Sequence, residues 1–275
     1  MPQATAEAFG EPGRQRRGLL HRPCEPGGQT GLVMCPPFGE ERKAAARVMT
    51  LAAAAWAERG YPVLRFDYFG TGESDGWMEE ATLDDWLGDI GAAVEHLMTR
   101  TGVREVGLLG LRFGATLAAL CESSQRPPAC LVLWDPQMTG GQTLAECRRH
   151  LAATRLVAGP VSAERSGCDE SDMGGFVLSE SLGRRIESIC LPADARARVP
   201  RVVVVQFSSR SRVSPVHWDL CKTLTAPDGA SRALCLPVRP FWVTASRFDP
   251  RSVVDRSVLA LEELAALAAA GGPSA

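Results

Sequence analysis

Short unbroken apolar runs alternate with helix-forming stretches along this chain, and that cadence constrains its fold more than any other feature. "GLVMCPP" (31–37), "YPVLRFDY" (61–68), "REVGLLGL" (104–111), "ACLVLWDP" (129–136) and "RVVVVQF" (201–207) read as buried strands, with "RPFWVTA" (239–245) as a sixth. Residues 42–58 are strong helix formers. From Thr82, the residues Leu83, Trp86, Leu87, Ile90, Val94 and Leu97 recur at helical spacing, and Thr82-x-x-Asp85 has the form of a capping box. A further helix is expected from Gly114 to about Ser123. A last one opens at Asp249-Pro250 and carries Val253, Val254, Leu259, Leu264 and Leu267. Strands that are apolar throughout, each followed by a helix, require a mostly parallel sheet with helices on both faces. The predicted class is α/β.

About 60 residues of different character separate the fourth and fifth runs, too many for a plain connection. The segment 137–198 is therefore read as a small helical cap insertion over the carboxyl edge of the sheet. Residues 1–17 are polar, contain Pro and Gly and have no periodicity, so they are expected to be disordered, leaving 18–275 as one domain.

A net charge of −2 offers no basic field for nucleic acid. No apolar run reaches the length of a membrane span, and the first residues lack the apolar core of a signal peptide. The nine cysteines form no C-x-x-C pair, which predicts reduced thiols, a cytoplasmic protein, no structural metal and no cofactor. Lysine occurs only at Lys43 and Lys222 among 30 basic residues, a bias that fits a GC-rich bacterial genome.

The third run leads into "GLLGLRFGATLA", whose frame Gly110-Leu111-Arg112-Phe113-Gly114 is the G-x-S-x-G nucleophile elbow with arginine in place of serine. Together with "MCPPFGEERK", "YPVLRFDYFGTGESDG" and "LVLWDP", in this order and spacing, it resembles the α/β-hydrolase superfamily. The resemblance is greatest to bacterial serine aminopeptidase-type hydrolases, and among those to the exosortase A-associated branch, whose members also carry a Gly-Leu-Arg elbow. It covers residues 30–136 well and 174–265 loosely. It implies an α/β-hydrolase fold, an oxyanion loop at Pro37-Phe38-Gly39, and a triad of elbow serine, acid and histidine in that chain order.

None of the three triad positions is matched. A guanidinium has five donors, no acceptor and a permanent charge, so Arg112 cannot attack a carbonyl. The stretch where the acid belongs, Ser208–Arg212, holds no carboxylate. The four histidines (His21, His96, His150, His217) all precede the last strand, and Phe241, Trp242 and Arg247 stand where the base belongs. What remains is a possible anion site: the Phe38 and Phe113 N–H groups, a helix N-terminus, Arg112, and Arg210 and Arg212 from the same edge. The alternative is that Arg112 is ion-paired with Asp135 and the pocket is vestigial.

Other candidates stay open in the sequence. Cys35 is either a displaced nucleophile activated by Arg112 or a core residue. Glu40, Glu41 or Asp135 could position a water with Arg112 polarising the carbonyl, or Glu40 and Glu41 simply favour a helix start. Asp67 and Ser74 read as turn residues, and His217 as a helix residue. Two functions follow from these residues: a hydrolase-fold protein that binds a small acidic or acyl-bearing ligand, and a hydrolase of ester, thioester or amide bonds using Cys35 or an activated water. The resemblance alone implies a third, a non-catalytic interaction subunit of an exosortase-linked surface-polysaccharide or protein-sorting system.

Overall fold

The computed structural model describes residues 3–25, 28–122, 127–158, 177–210, 212–243 and 247–269. In chain order its elements are β1 (Gln3–Phe9), β2 (Arg16–Arg22), β3 (Thr30–Cys35), α1 (Gly39–Glu58), β4 (Val63–Phe66) and α2 (Leu83–Thr101). Then come β5 (Glu105–Leu111), α3 (Phe113–Leu120), β6 (Leu131–Trp134), α4 (Gly140–Ala158), α5 (Glu180–Glu187), β7 (Val199–Phe207), α6 (Pro215–Leu224), β8 (Thr225–Leu236) and α7 (Arg251–Ala269).

The strands form one sheet in the order β1-β2-β4-β3-β5-β6-β7-β8. From β4 to β8 every pairing is parallel, while β1 and β2 add an antiparallel hairpin at one edge. The apolar runs are buried on both sides, as a doubly covered parallel sheet demands. Leu32, Met34, Val63, Leu109, Leu111, Val203 and Val205 face α1 and α7. Val33, Cys35, Leu64, Leu108, Leu131, Val202 and Val204 face the layer that holds α2, α3 and α6. Parallel strands all end at one edge, and the order turns back around β3 and β5, which is where such sheets form a crevice. The starts of α1 and α3 both lie there.

The helix at Thr82 forms as its capping box predicts: Thr82 Oγ1 accepts from the Asp85 N–H at 3.0 Å, and Asp85 Oδ2 accepts from the Thr82 N–H at 2.9 Å. Asp67 and Ser74 hold the turn after β4. Asp67 Oδ2 accepts from the Glu73 N–H, while Ser74 Oγ donates to the Asp67 carbonyl and accepts from the Arg17 N–H.

Two expectations are corrected. Residues 3–9 are not disordered but form β1, paired residue for residue with β2, which itself begins at Arg16. Phe9 is buried and stacks on His96, and buried Glu7 accepts from Arg100 and His96 of α2, so side chains rather than composition hold the hairpin down. The last strand is residues 225–236, not 239–245. Residues 239–243 run past Pro240 as an irregular segment whose Phe241 packs on Phe207, with ring centres 5.8 Å apart. Within 137–198, α4 and α5 are helical as expected; residues 159–176, the centre of the expected cap, lie outside the described residues.

Candidate functional site

Arg112 sits between β5 and α3 with φ 55° and ψ −119°, a conformation side chains other than glycine's rarely take. The surrounding backbone enforces it. The Arg112 N–H donates to the Trp134 carbonyl at 2.9 Å, and its own carbonyl accepts from the Ala115 and Thr116 N–H groups. The flanking glycines are needed for close approach. A Cβ at Gly110 would lie 2.4 Å from Ala115 Cα, and one at Gly114 would lie 2.3 Å from the carbonyl oxygens of both Cys35 and Pro36. The strained turn of a nucleophile elbow is thus built with an arginine at its tip.

The Arg112 side chain is 7% exposed and ringed by three carboxylates. Its Nε donates to Glu41 at 3.2 Å, its Nη1 to Asp135 Oδ2 at 2.9 Å, and its Nη2 to Glu146. Trp242 covers the guanidinium, with its ring centre 4.9 Å from Cζ, a cation–π contact. Each carboxylate is itself fixed. Asp135, with φ 46°, accepts from the Phe207 N–H at 3.1 Å. Glu146 accepts from Gln137 at 2.8 Å and Gln142 at 3.2 Å. Glu41 lies in the first turn of α1.

Burial alone would lower the Arg112 pKa, but Glu41, Asp135 and Glu146 outweigh it and raise it. Burial lifts the Glu41 carboxyl to about 7 against the pull of Arg112, with Glu146 and Asp135 adding to the rise. Burial likewise raises Asp135, whereas at Glu146 the Arg112 charge and three hydrogen bonds overcome burial and hold the carboxyl below its usual value.

The ion pair with Asp135 is therefore present, and it is one arm of a larger cluster. The expected anion site at the guanidinium is not free to act as one: Arg112 Nε, Nη1 and Nη2 already serve three carboxylates, one cation against three potential anions. Phe38 and Phe113 do come together, with ring centres 6.0 Å apart. The cavity they line with Tyr68 and Trp86 is only about 10 Å³, barely the space of one water.

Arg210 and Arg212 are exposed and stand outside the cluster. Of its two readings, Cys35 takes that of a core residue, not of a nucleophile. Its side chain shares a face with Val33 and is fully buried, and its thiol lies by Tyr68 and Cys121, where burial pushes its pKa far up. A thiolate needs the opposite surroundings. Glu40 pairs with Lys43 at 2.6 Å, and His217 is buried on α6 with Nδ1 at 2.6 Å from Ser214 Oγ. Glu146 went unread in the sequence. Its one signal was an acid one turn after Gln142, on the helix that follows β6.

Among the described residues no group of His, Cys, Asp and Glu could hold a metal ion, and no helix is long and apolar enough to cross a membrane.

The serine aminopeptidase family profile matches residues 36–166, just under half of the chain. No curated protein matches. Among solved structures, the chain is similar to Est1E from Butyrivibrio proteoclasticus with ferulic acid bound, at 18% identity and a TM-score of 0.67, covering 95% of this chain and 100% of that one. An esterase from Pyrococcus furiosus has 16% identity and a TM-score of 0.61, covering 96% and 90%. An α/β serine hydrolase without lid from Xanthomonas campestris has 17% identity and a TM-score of 0.54, covering 94% of each chain. The strand order, the strained turn after β5 and these matches agree: the chain has the α/β-hydrolase fold, and its residues 36–166 match the serine aminopeptidase family.

Proposed function

We propose that this chain is a non-hydrolytic member of the superfamily, which keeps the scaffold for binding and has turned its elbow into a structural clamp. One observation carries the reading: the residue in the nucleophile's strained conformation is an arginine whose Nε, Nη1 and Nη2 are all committed to carboxylates. A serine elbow works because its hydroxyl is exposed at the sheet edge beside a base that removes its proton. The Arg112 guanidinium keeps its protons at any accessible pH and so has no lone pair to attack with. Its neighbours are counter-ions, and the space beside the oxyanion-loop residues does not admit an acyl group.

A second reading has one observation in its favour. Glu41, with a pKa near 7, could accept a proton from a water at neutral pH. Hydrolysis of a panel of activated esters and thioesters by the wild type, Glu41→Gln, Arg112→Ser and Cys35→Ala decides between the two. The expected result is no turnover above buffer from any of them, including Arg112→Ser, since restoring a hydroxyl supplies no base. Wild-type turnover that disappears in Glu41→Gln would replace the clamp with an activated-water mechanism.

A further inference from the structure

On the α1 side of the sheet, a groove of about 580 Å³ lies between α1 and the edge strands β1 and β2. That is well within the roughly 300–1,000 Å³ range of small-molecule sites. Its apolar part is built from Ala6, Leu19, Met34 and Met49. The Arg42–Asp67 ion pair, at 2.8 Å, stands at its border. Of its other charged residues, Glu7 is spent on His96 and Arg100, Glu73 is exposed, and two more arginines remain, Arg17 and Arg65.

Arg65 is the unusual one. It projects from β4 opposite Leu19, on the α1 side of the sheet, and its Nη1 donates to Thr50 of α1. Its Nε is buried and has no hydrogen-bond partner among the described residues. No carboxylate of the described residues pairs with it. The nearest candidate, Asp67, spends Oδ1 on Arg42 and Oδ2 on the Glu73 N–H. Arg17 likewise has no ion pair among the described residues. Charges withdrawn from water in folded chains are usually paired; Arg65 is half-buried, and burial pulls its pKa down with only partial relief from Asp67. A cation left without a counter-ion at the wall of a ligand-sized, largely apolar groove calls for an anion with an apolar body.

We propose that this groove binds a small amphipathic carboxylate, its head against the Arg65 and Arg17 guanidinium groups and its hydrocarbon along Leu19, Met34 and Met49. The site is separate from the Arg112 cluster and does not depend on how the elbow is read. Calorimetry measures binding alone, so its failure would leave the non-hydrolytic reading where it stands.

Octanoate is the probe, titrated into the full chain below its micelle-forming concentration, with octan-1-ol and octylammonium as controls for head-group charge. Saturable one-to-one binding of octanoate is expected, at least tenfold tighter than either control. Arg65→Met removes the unpaired charge and keeps most of the side-chain volume, so the fold should hold, and octanoate affinity should fall at least tenfold. Met49→Trp retains both arginines, fills the apolar part and should weaken binding as much. Absence of saturable octanoate binding, equal binding of octylammonium, or affinity unchanged in both variants would each overturn the site.

Discussion

Replacing Arg112 with methionine would keep much of its volume but strand Glu41, Asp135 and Glu146, each under 20% exposed, around a centre that no longer carries charge. Removing one partner of a buried ionic cluster typically costs about 3–5 kcal/mol, because the remaining charges stay desolvated. We expect a loss of that size for Arg112→Met in equilibrium denaturation at pH 8. Glu41 should decide how much is recovered, because its pKa is already lifted to about 7. The Arg112→Met deficit should shrink at pH 6, where Glu41 is mostly protonated, and also in the double variant with Glu41→Gln. A deficit equal at both pH values would mean that Glu41 is not part of the clamp. The strain at Arg112 belongs to the same account: a residue held at φ 55° persists only where its surroundings over-determine it. Here the backbone bonds to Trp134, Ala115 and Thr116 hold the turn, while three carboxylates and a tryptophan ring fix the side chain.

At the scale of elements, glycine gives a matched pair of predictions. Gly114 in α3 packs its Cα against the end of β3, and an added Cβ would meet two carbonyl oxygens at 2.3 Å. Backbone at that distance cannot move aside without parting α3 from the sheet, so Gly114→Ala should cost more than about 4 kcal/mol or abolish folding. Gly88 in α2 has nothing within 4 Å of the same position. Gly88→Ala should stabilise by about 0.5–1 kcal/mol, the helix-propensity difference. Equal effects at the two sites, read as thermal midpoints, would contradict the elbow packing. These elements were legible in the sequence because their signals are local: the buried strands as apolar runs, α2 from its cap and period, the elbow from its two glycines. What was missed depends on partners far along the chain. β8 contains Pro227, Asp228 and Gly229, which read as a break, yet as an edge strand with a register shift against β7 it tolerates them. The β1–β2 hairpin carries polar residues throughout and is held by contacts with α2, some 90 residues away. Cys35 was ambiguous because a strand apolar on both faces gives no parity from which to read its side. Asp135 could be named as a partner of Arg112 from neighbouring strand ends, but Glu146 arrives from α4, whose placement no local pattern specifies.

The molecule as a whole should lose stability on acidification through two histidines that have no part in the elbow. His21, on β2, is 3% exposed and His217, on α6, is 8% exposed; each Nε2 is buried with no hydrogen-bond partner among the described residues. Burial lowers both pKa values from 6.5 to about 4, with the Arg65 charge adding to the effect at His21. Between those limits the unfolded chain binds a proton at each position and the folded chain does not. Stability is therefore fully present above pH 6.5 and falls as pH drops toward 4, by at most about 1.4 kcal/mol per pH unit for each histidine. Glu41 works the other way. Its folded pKa of about 7 lies above the unfolded value of 4.5, so the folded state takes up its proton first and gains stability as pH falls through that window. Two histidines against one carboxylate leave a net loss. Chemical denaturation at pH 7.5 and 5.5 should show the wild type less stable at the lower pH, and His21→Gln and His217→Gln should each remove roughly half of the histidine-driven loss. Glu41→Gln should steepen the loss instead, since the opposing term is gone. If the acid loss is unchanged in both histidine variants, the protons are taken up elsewhere, and the buried imidazoles are not what limits this fold at low pH.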